Sequence, residues 1–110
     1  MSGTGPRLAI VARLTVRRDR LVEFRAFEAS AVAIMHDHGG RLEQVVVLDD
    51  HPASPTLVEV HIVTFADASA FAAYRDDPAL SRLQPMRDEA VVATQVEIGE
   101  EGPRYAGAAP

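Results

Sequence analysis

Twice along its length the chain switches from a two-residue hydrophobic period to a helical one and back, and few folds accommodate that alternation. In residues 7–16, Leu8, Ile10, Ala12, Leu14 and Val16 fall on one side of a strand, and Arg7, Ala9, Val11, Arg13 and Thr15 on the other. The period then changes. Asp19 stands where a helix cap is expected, and Leu21, Phe24, Phe27, Ala31, Ile34 and Met35 recur at helical spacing until Gly39 and Gly40 stop the helix. Residues 41–49 and 56–65 return to strand character, joined by a connector containing Asp50, Pro52, Ser54 and Pro55 that reads as a hairpin loop. Asp67 or Ser69 caps a second helix carrying Ala68, Phe71 and Tyr74. This gives way near Pro78 to a further helical stretch, 80–90, which Pro85 either interrupts or opens. Residues 91–98 form the last strand. The expected domain therefore spans 7–98, with flexible ends at 1–6 and 99–110.

Strand, helix, strand, strand, helix, strand is the order of a ferredoxin-like α+β fold, with a four-stranded antiparallel sheet and the helices on one face. Helices can cover only that face. If they take the aliphatic side of the first strand, the other side of the sheet, expected to hold Val11, Val45, Val47 and Val63, needs a cover of its own. A second copy of the chain is the simplest one, so a homodimer with its two sheets face to face is expected.

Composition narrows the chemistry. With 110 residues there is room for one domain, and a formal charge of -5 with no basic run argues against nucleic acid and against anionic membrane surfaces. No apolar stretch approaches the ~20 residues of a membrane span, and residues 1–6 lack the pattern of a signal peptide, so a cytoplasmic location is expected. Cysteine is absent, which removes disulfides, thiolate nucleophiles and cysteine-ligated zinc; lysine is absent, which removes Schiff-base catalysis.

The first strand running into a helix with Phe24, together with Phe65-x-Asp67-x-x-Ala70-Phe71-x-x-Tyr74-x-x-Asp77-Pro78, resembles the dimeric α+β barrel superfamily over about residues 7–98. That superfamily includes antibiotic-biosynthesis monooxygenases, heme-degrading monooxygenases, EthD-like proteins and several families of unknown function. The resemblance implies a pocket between helices and sheet. It also implies monooxygenation without metal or flavin, in which a deprotonated phenol or anthrone reduces oxygen directly. No cofactor and no metal are expected. The heme-degrading members use an Asn, Trp and His constellation, and anthrone oxygenases are described with Asn and Trp; this chain has neither Asn nor Trp.

On the third strand Val58, Val60 and Ile62 make an aliphatic side, while Glu59 and His61 share the other. Placed on the sheet face away from the helices with Arg13, and with Thr94 or Gln95 nearby, they have two readings. Glu59 orients His61 as a general base while Arg13 steadies an anion; or the three form an ion-pair network in the dimer interface, where pairing is obligatory on burial. The interface reading is favoured. On the helix side, Tyr74 can present its hydroxyl to a small organic ligand, and Phe24, Phe27, Met35 and Phe71 can line the pocket or simply fill the core. His36, His38 and His51 have no metal-ligand spacing. Arg87 can reach a pocket mouth and hold a carboxylate. The function expected is small-molecule binding with cofactor-independent oxygenation of an aromatic or polyketide-like metabolite. A non-catalytic ligand-binding or stress-related protein and a polyketide-cyclase-like enzyme are the alternatives.

Overall fold

The computed structural model describes residues 5–103 and 105. The elements are β1 (Leu8–Arg17), α1 (Leu21–Asp37), β2 (Arg41–Leu48), β3 (Thr56–Phe65), α2 (Ala68–Arg75), α3 (Pro78–Ser81), α4 (Gln84–Ala90) and β4 (Val91–Glu100). The strands form one antiparallel sheet in the order β2-β3-β1-β4, which is the expected ferredoxin-like α+β architecture.

Local chemistry sets the element ends. Asp19 does not cap α1. It lies in a 3-10 turn, Arg18–Arg20, and its carboxylate accepts from Arg17 Nη2 at 3.0 Å. The turn is fixed instead by Arg18, whose Nε donates to Ser54 O at 2.7 Å while its two terminal nitrogens grip Asp49 at 2.8 and 3.0 Å. One arginine thus ties the start of α1 to the β2–β3 loop, a bidentate pairing that suits its planar fork. At the other end of α1, Gly39 has φ +73°, a left-handed conformation that costs residues with a Cβ. Gly40 answers a different need, because a Cβ there would overlap Met35 and the Phe65 ring. Asp67 caps α2 through Ala70 N at 2.8 Å, and Asp77 caps α3 through Ala79 N at 2.8 Å. Pro78 and Pro85 occupy the first turns of α3 and α4, where no amide hydrogen is missed.

The strand β4 runs to Glu100, opposite Leu8, and Glu101 N donates to Arg7 O at 2.9 Å. Gly99 and Glu100, expected in the flexible tail, therefore belong to the sheet. Residues 1–4, 104 and 106–110, expected in the flexible ends, lie outside the described residues.

The aliphatic side of β1 faces the helices. Leu14 and Val16 pack with Phe24, Phe27, Ala31 and Ala90, and Ile10 packs with Met35, Val63 and Phe65. Register then decides β3. Ile10, Ala12 and Leu14 stand opposite Val63, His61 and Glu59, and residues directly opposite in an antiparallel pair share a face. Two expectations fail for this reason. Val63 is buried under the helices, and Glu59 and His61 also face inward, at 4% and 5% exposure. Val45 and Val47, opposite His61 and Glu59, lie on the same side near the sheet edge, half-exposed. The open face instead carries Val11, Val46, Leu48, Val58, Val60 and Ile62, with Arg13 between Val60 and Gln95. Among the described residues no helix is long and apolar enough to cross a membrane.

Candidate functional site

A cavity of about 240 Å³ opens between the helices and the sheet. Its floor is β1 and β3, through Ile10, Ala12, Leu14 and Val63, and α1 supplies Phe27, Ala31 and Met35. The short helices α2 to α4 form the cover, contributing Phe71, Tyr74 and Leu80. Polar groups enter this apolar space at a few points: His61 from β3, Glu28 from α1, Tyr74 from α2, Gln84 and Arg87 from α4, and Thr94 from β4.

His61 is held from behind. Its Nε2 lies 2.9 Å from Glu59 Oε1, and the other oxygen of Glu59 accepts from Arg25 Nε at 3.2 Å and Nη2 at 3.0 Å. A carboxylate paired with a guanidinium is an acceptor, so the neutral imidazole donates through Nε2–H and keeps a free lone pair on Nδ1. Nδ1 is 3.9 Å from Glu28 Oε1, too far for a hydrogen bond. The Phe24 ring, 6.3 Å from the imidazole, packs against it.

Burial pushes the Glu28 carboxyl above the usual glutamate value; His61 opposes this, Glu59 adds to it, and Arg87 opposes it. The same environment acts on Tyr74. Burial, with a contribution from the Glu28 charge and against the pull of Arg87, moves its phenol up to about 12, so its hydroxyl stays a hydrogen-bond donor at neutral pH. Arg87 Nη2 donates to Thr94 Oγ1 at 2.6 Å on the cavity wall. Under the Tyr74 end, His38 Nε2 meets Asp77 Oδ2 at 2.8 Å, and the His38 ring approaches Tyr74 edge-on at 6.3 Å. The His38 contact and the Ala79 amide hold Asp77 below the usual aspartate value.

Of the residues singled out from sequence, His61, Tyr74, Phe27, Met35 and Phe71 meet around this one cavity, with Glu59 directly behind His61. Phe24 does not line it and lies wholly in the core. Arg13 is on the opposite face of the sheet, so the Arg13–Glu59–His61 grouping is corrected: the cation at Glu59 is Arg25. Thr94 joins the site, whereas Gln95 sits beside Arg13 on the open face. Arg25 and Glu28 were missed. A signal for Glu28 was present, since positions 24, 28, 31 and 35 make one helical stripe and Glu28 is its single charged member. His36, His38 and His51 are not gathered with His61, and among the described residues no group of three or more acidic or histidine side chains is placed to hold a metal.

The arrangement offers an oriented base, a neutral phenol and a second carboxyl around an apolar volume somewhat below the ~300 Å³ at which ligand pockets usually begin. No family model and no curated protein matches the sequence. Solved structures do resemble it. SnoaB, a cofactor-independent oxygenase from Streptomyces nogalater, aligns over 96% of this chain and 100% of its own at 17% identity, with a TM-score of 0.60. A dimeric protein of unknown function and ferredoxin-like fold from Bacteroides fragilis aligns over 86% and 96% at 14% identity, with a TM-score of 0.61. A protein from Caulobacter crescentus provisionally described as an antibiotic biosynthesis monooxygenase aligns over 89% and 92% at 13% identity, with a TM-score of 0.67. At these identities the likeness shows the ferredoxin-like fold alone and leaves the reaction to be argued from the site.

Proposed function

We propose that this chain is a homodimeric enzyme that oxygenates a compact aromatic or polyketide-like metabolite without a cofactor, with His61 as the base. The observation that carries the reading is the buried imidazole, fixed by Glu59 and Arg25 on one side and opening by Nδ1 toward an apolar cavity on the other. A base so placed takes a proton from an acidic C–H or phenolic O–H. The resulting carbanion reduces dioxygen to a hydroperoxide, which loses water, so that an activated CH₂ and O₂ give C=O and H₂O. Tyr74 donates to the oxyanion of the deprotonated substrate. The likeness to SnoaB supports this chemistry at the level of the scaffold.

The dimer is proposed from the open face. Val11, Val46 and Leu48 are each more than a third exposed beside Val58, Val60 and Ile62, a contiguous apolar surface that a second copy would cover.

Oxygen uptake with anthrone and with simple quinols tests the enzyme reading. Turnover that disappears in His61→Ala while the dimer persists, and falls in Tyr74→Phe, supports it. A second reading, a non-catalytic binding protein, is favoured by the complete pairing of Glu59, which satisfies a buried charge whether or not catalysis follows. Unchanged ligand affinity with no turnover in the wild type would select it.

A further inference from the structure

Glu28 has no part in the chemistry above, yet its carboxyl stands in the cavity beside the free nitrogen of His61. It makes no hydrogen bond among the described residues. Its side chain is 20% exposed, and placing a largely covered carboxyl at a stripe position that otherwise carries apolar residues is unfavourable unless the carboxyl is used or paired. The 3.9 Å between His61 Nδ1 and Glu28 Oε1 is beyond hydrogen-bond reach but within ion-pair distance, so the two groups stand over one spot.

The two differ in what holds them. His61 is held by the Glu59 carboxylate behind it, which fixes the ring and leaves Nδ1 facing the cavity. Burial raises the affinity of Glu28 for its own proton. A histidine nitrogen and a carboxyl whose burial favours its protonated form, facing one apolar volume, are groups suited to enolising a ketone. The α-carbon and the oxygen of a carbonyl compound are two bonds apart, a shorter span than the gap between Nδ1 and Oε1. The two side chains can therefore contact the two substrate atoms at once, His61 at carbon and Glu28 at oxygen.

We infer that the cavity also catalyses a redox-neutral reaction, the keto–enol tautomerisation of a compact apolar ketone, with His61 and Glu28 as an opposed base and acid. The inference rests on the reading of His61 as a base but needs no oxygen. In the forward step the C–H proton passes to His61 Nδ1 and the C–H electron pair becomes the C=C bond. The carbonyl π pair moves onto oxygen, which takes the Glu28 proton. The products are a neutral enol, an imidazolium and a carboxylate, adjacent and mutually neutralising. In the reverse step the imidazolium protonates the α-carbon of the enol, the C=O bond re-forms, and Glu28 recovers the hydroxyl proton. Nothing is oxidised or reduced.

The pair works with one proton between its two members, so the rate should be bell-shaped in pH, falling when both are protonated and when neither is. Other charged or titratable groups facing Glu28 are Glu59, behind the imidazole, and Arg87 and Tyr74 across the cavity. Tyr74, its phenol moved up to about 12, keeps its proton through this range.

The test is deuterium incorporation at C1 of 2-tetralone, whose methylene is bonded directly to the carbonyl carbon, in heavy water under argon, followed by NMR, beside oxygen uptake by anthrone in air. Anaerobic exchange in the wild type, lost in His61→Ala and reduced about 100-fold in Glu28→Gln, is expected. Glu28→Gln should keep 2-tetralone affinity and lose the alkaline limb of the pH profile, which a merely structural role would leave in place. Oxygen uptake in air without anaerobic exchange would overturn the inference while leaving the oxygenase reading intact. Exchange that Glu28→Gln does not slow would overturn the role of Glu28. Absence of both activities would sink the two readings together.

Discussion

The two faces of the sheet reverse the usual assignment of polar and apolar residues. Beneath the helices, β3 presents Glu59 and His61, both almost fully buried. On the open face the same strand presents Val58, Val60 and Ile62. Hydropathy of a strand taken alone points the wrong way here, because β3 follows its neighbour: β1 has one uninterrupted aliphatic side, that side is buried, and a ten-residue register carries β3 with it. The difference teaches that a charged pair inside and valines outside are each a sign of something else. Inside, Arg25 makes burial of Glu59 tolerable; outside, an apolar surface awaits a cover.

The largest effect should come from the conventional part of the covered face. Phe24→Ala removes a fully buried ring and is expected to cost about 3–5 kcal/mol in chemical denaturation. The open face should respond in assembly more than in folding. Val11→Asp would place a carboxylate opposite Ile62 and Glu97 in the proposed sheet-to-sheet interface and raise the dimer dissociation constant by ~100-fold or more in sedimentation experiments. An unchanged association state would remove the second copy as the cover of that face. Arg25→Ala tests the unconventional part of the covered face. Breaking a fully buried pair costs about 3–5 kcal/mol, but Arg25 is 53% exposed, so a loss of about 2 kcal/mol is expected, recovered in part by adding Glu59→Gln.

The smallest effect has the most diagnostic sign. The folded-state value of Glu28 lies above its unfolded value, so the stabilisation from its protonated form is complete below pH ~4.5 and is lost as pH rises through the folded value. Glu28→Gln should therefore be more stable than the wild type at neutral pH, and the advantage should vanish at pH 4 when thermal melts are compared. A wild type that is the more stable protein at pH 7 would mean that Glu28 has a stabilising partner.

Much of the architecture was legible because it is periodic. The inward alternation of β1, the stop at Gly39 and Gly40, the cap at Asp67 and the break at Pro78 each depend on neighbours in sequence. The site was legible in its members but not in its grouping. His61, Glu59 and Tyr74 drew notice as residue types, yet which cation meets Glu59 depends on register and on the reach of a helix, and neither is written locally. Arg13 lost to Arg25 on that account. Glu28 was hidden by its company, since a stripe containing Phe24, Ala31 and Met35 reads as core and the carboxyl within it as an exception.

The cover of the cavity has its own consequence. It is divided among three short helices, restarted at Pro78 and Pro85, and together they contribute one fully buried residue, Ala90. Little buried area and few internal turns mean a low free energy of local opening, well below that of the strands beneath. Passage into and out of the cavity then does not wait for the domain to unfold. Loosening of one small piece of the roof is expected to widen the cavity mouth while the floor that holds His61 stays in place.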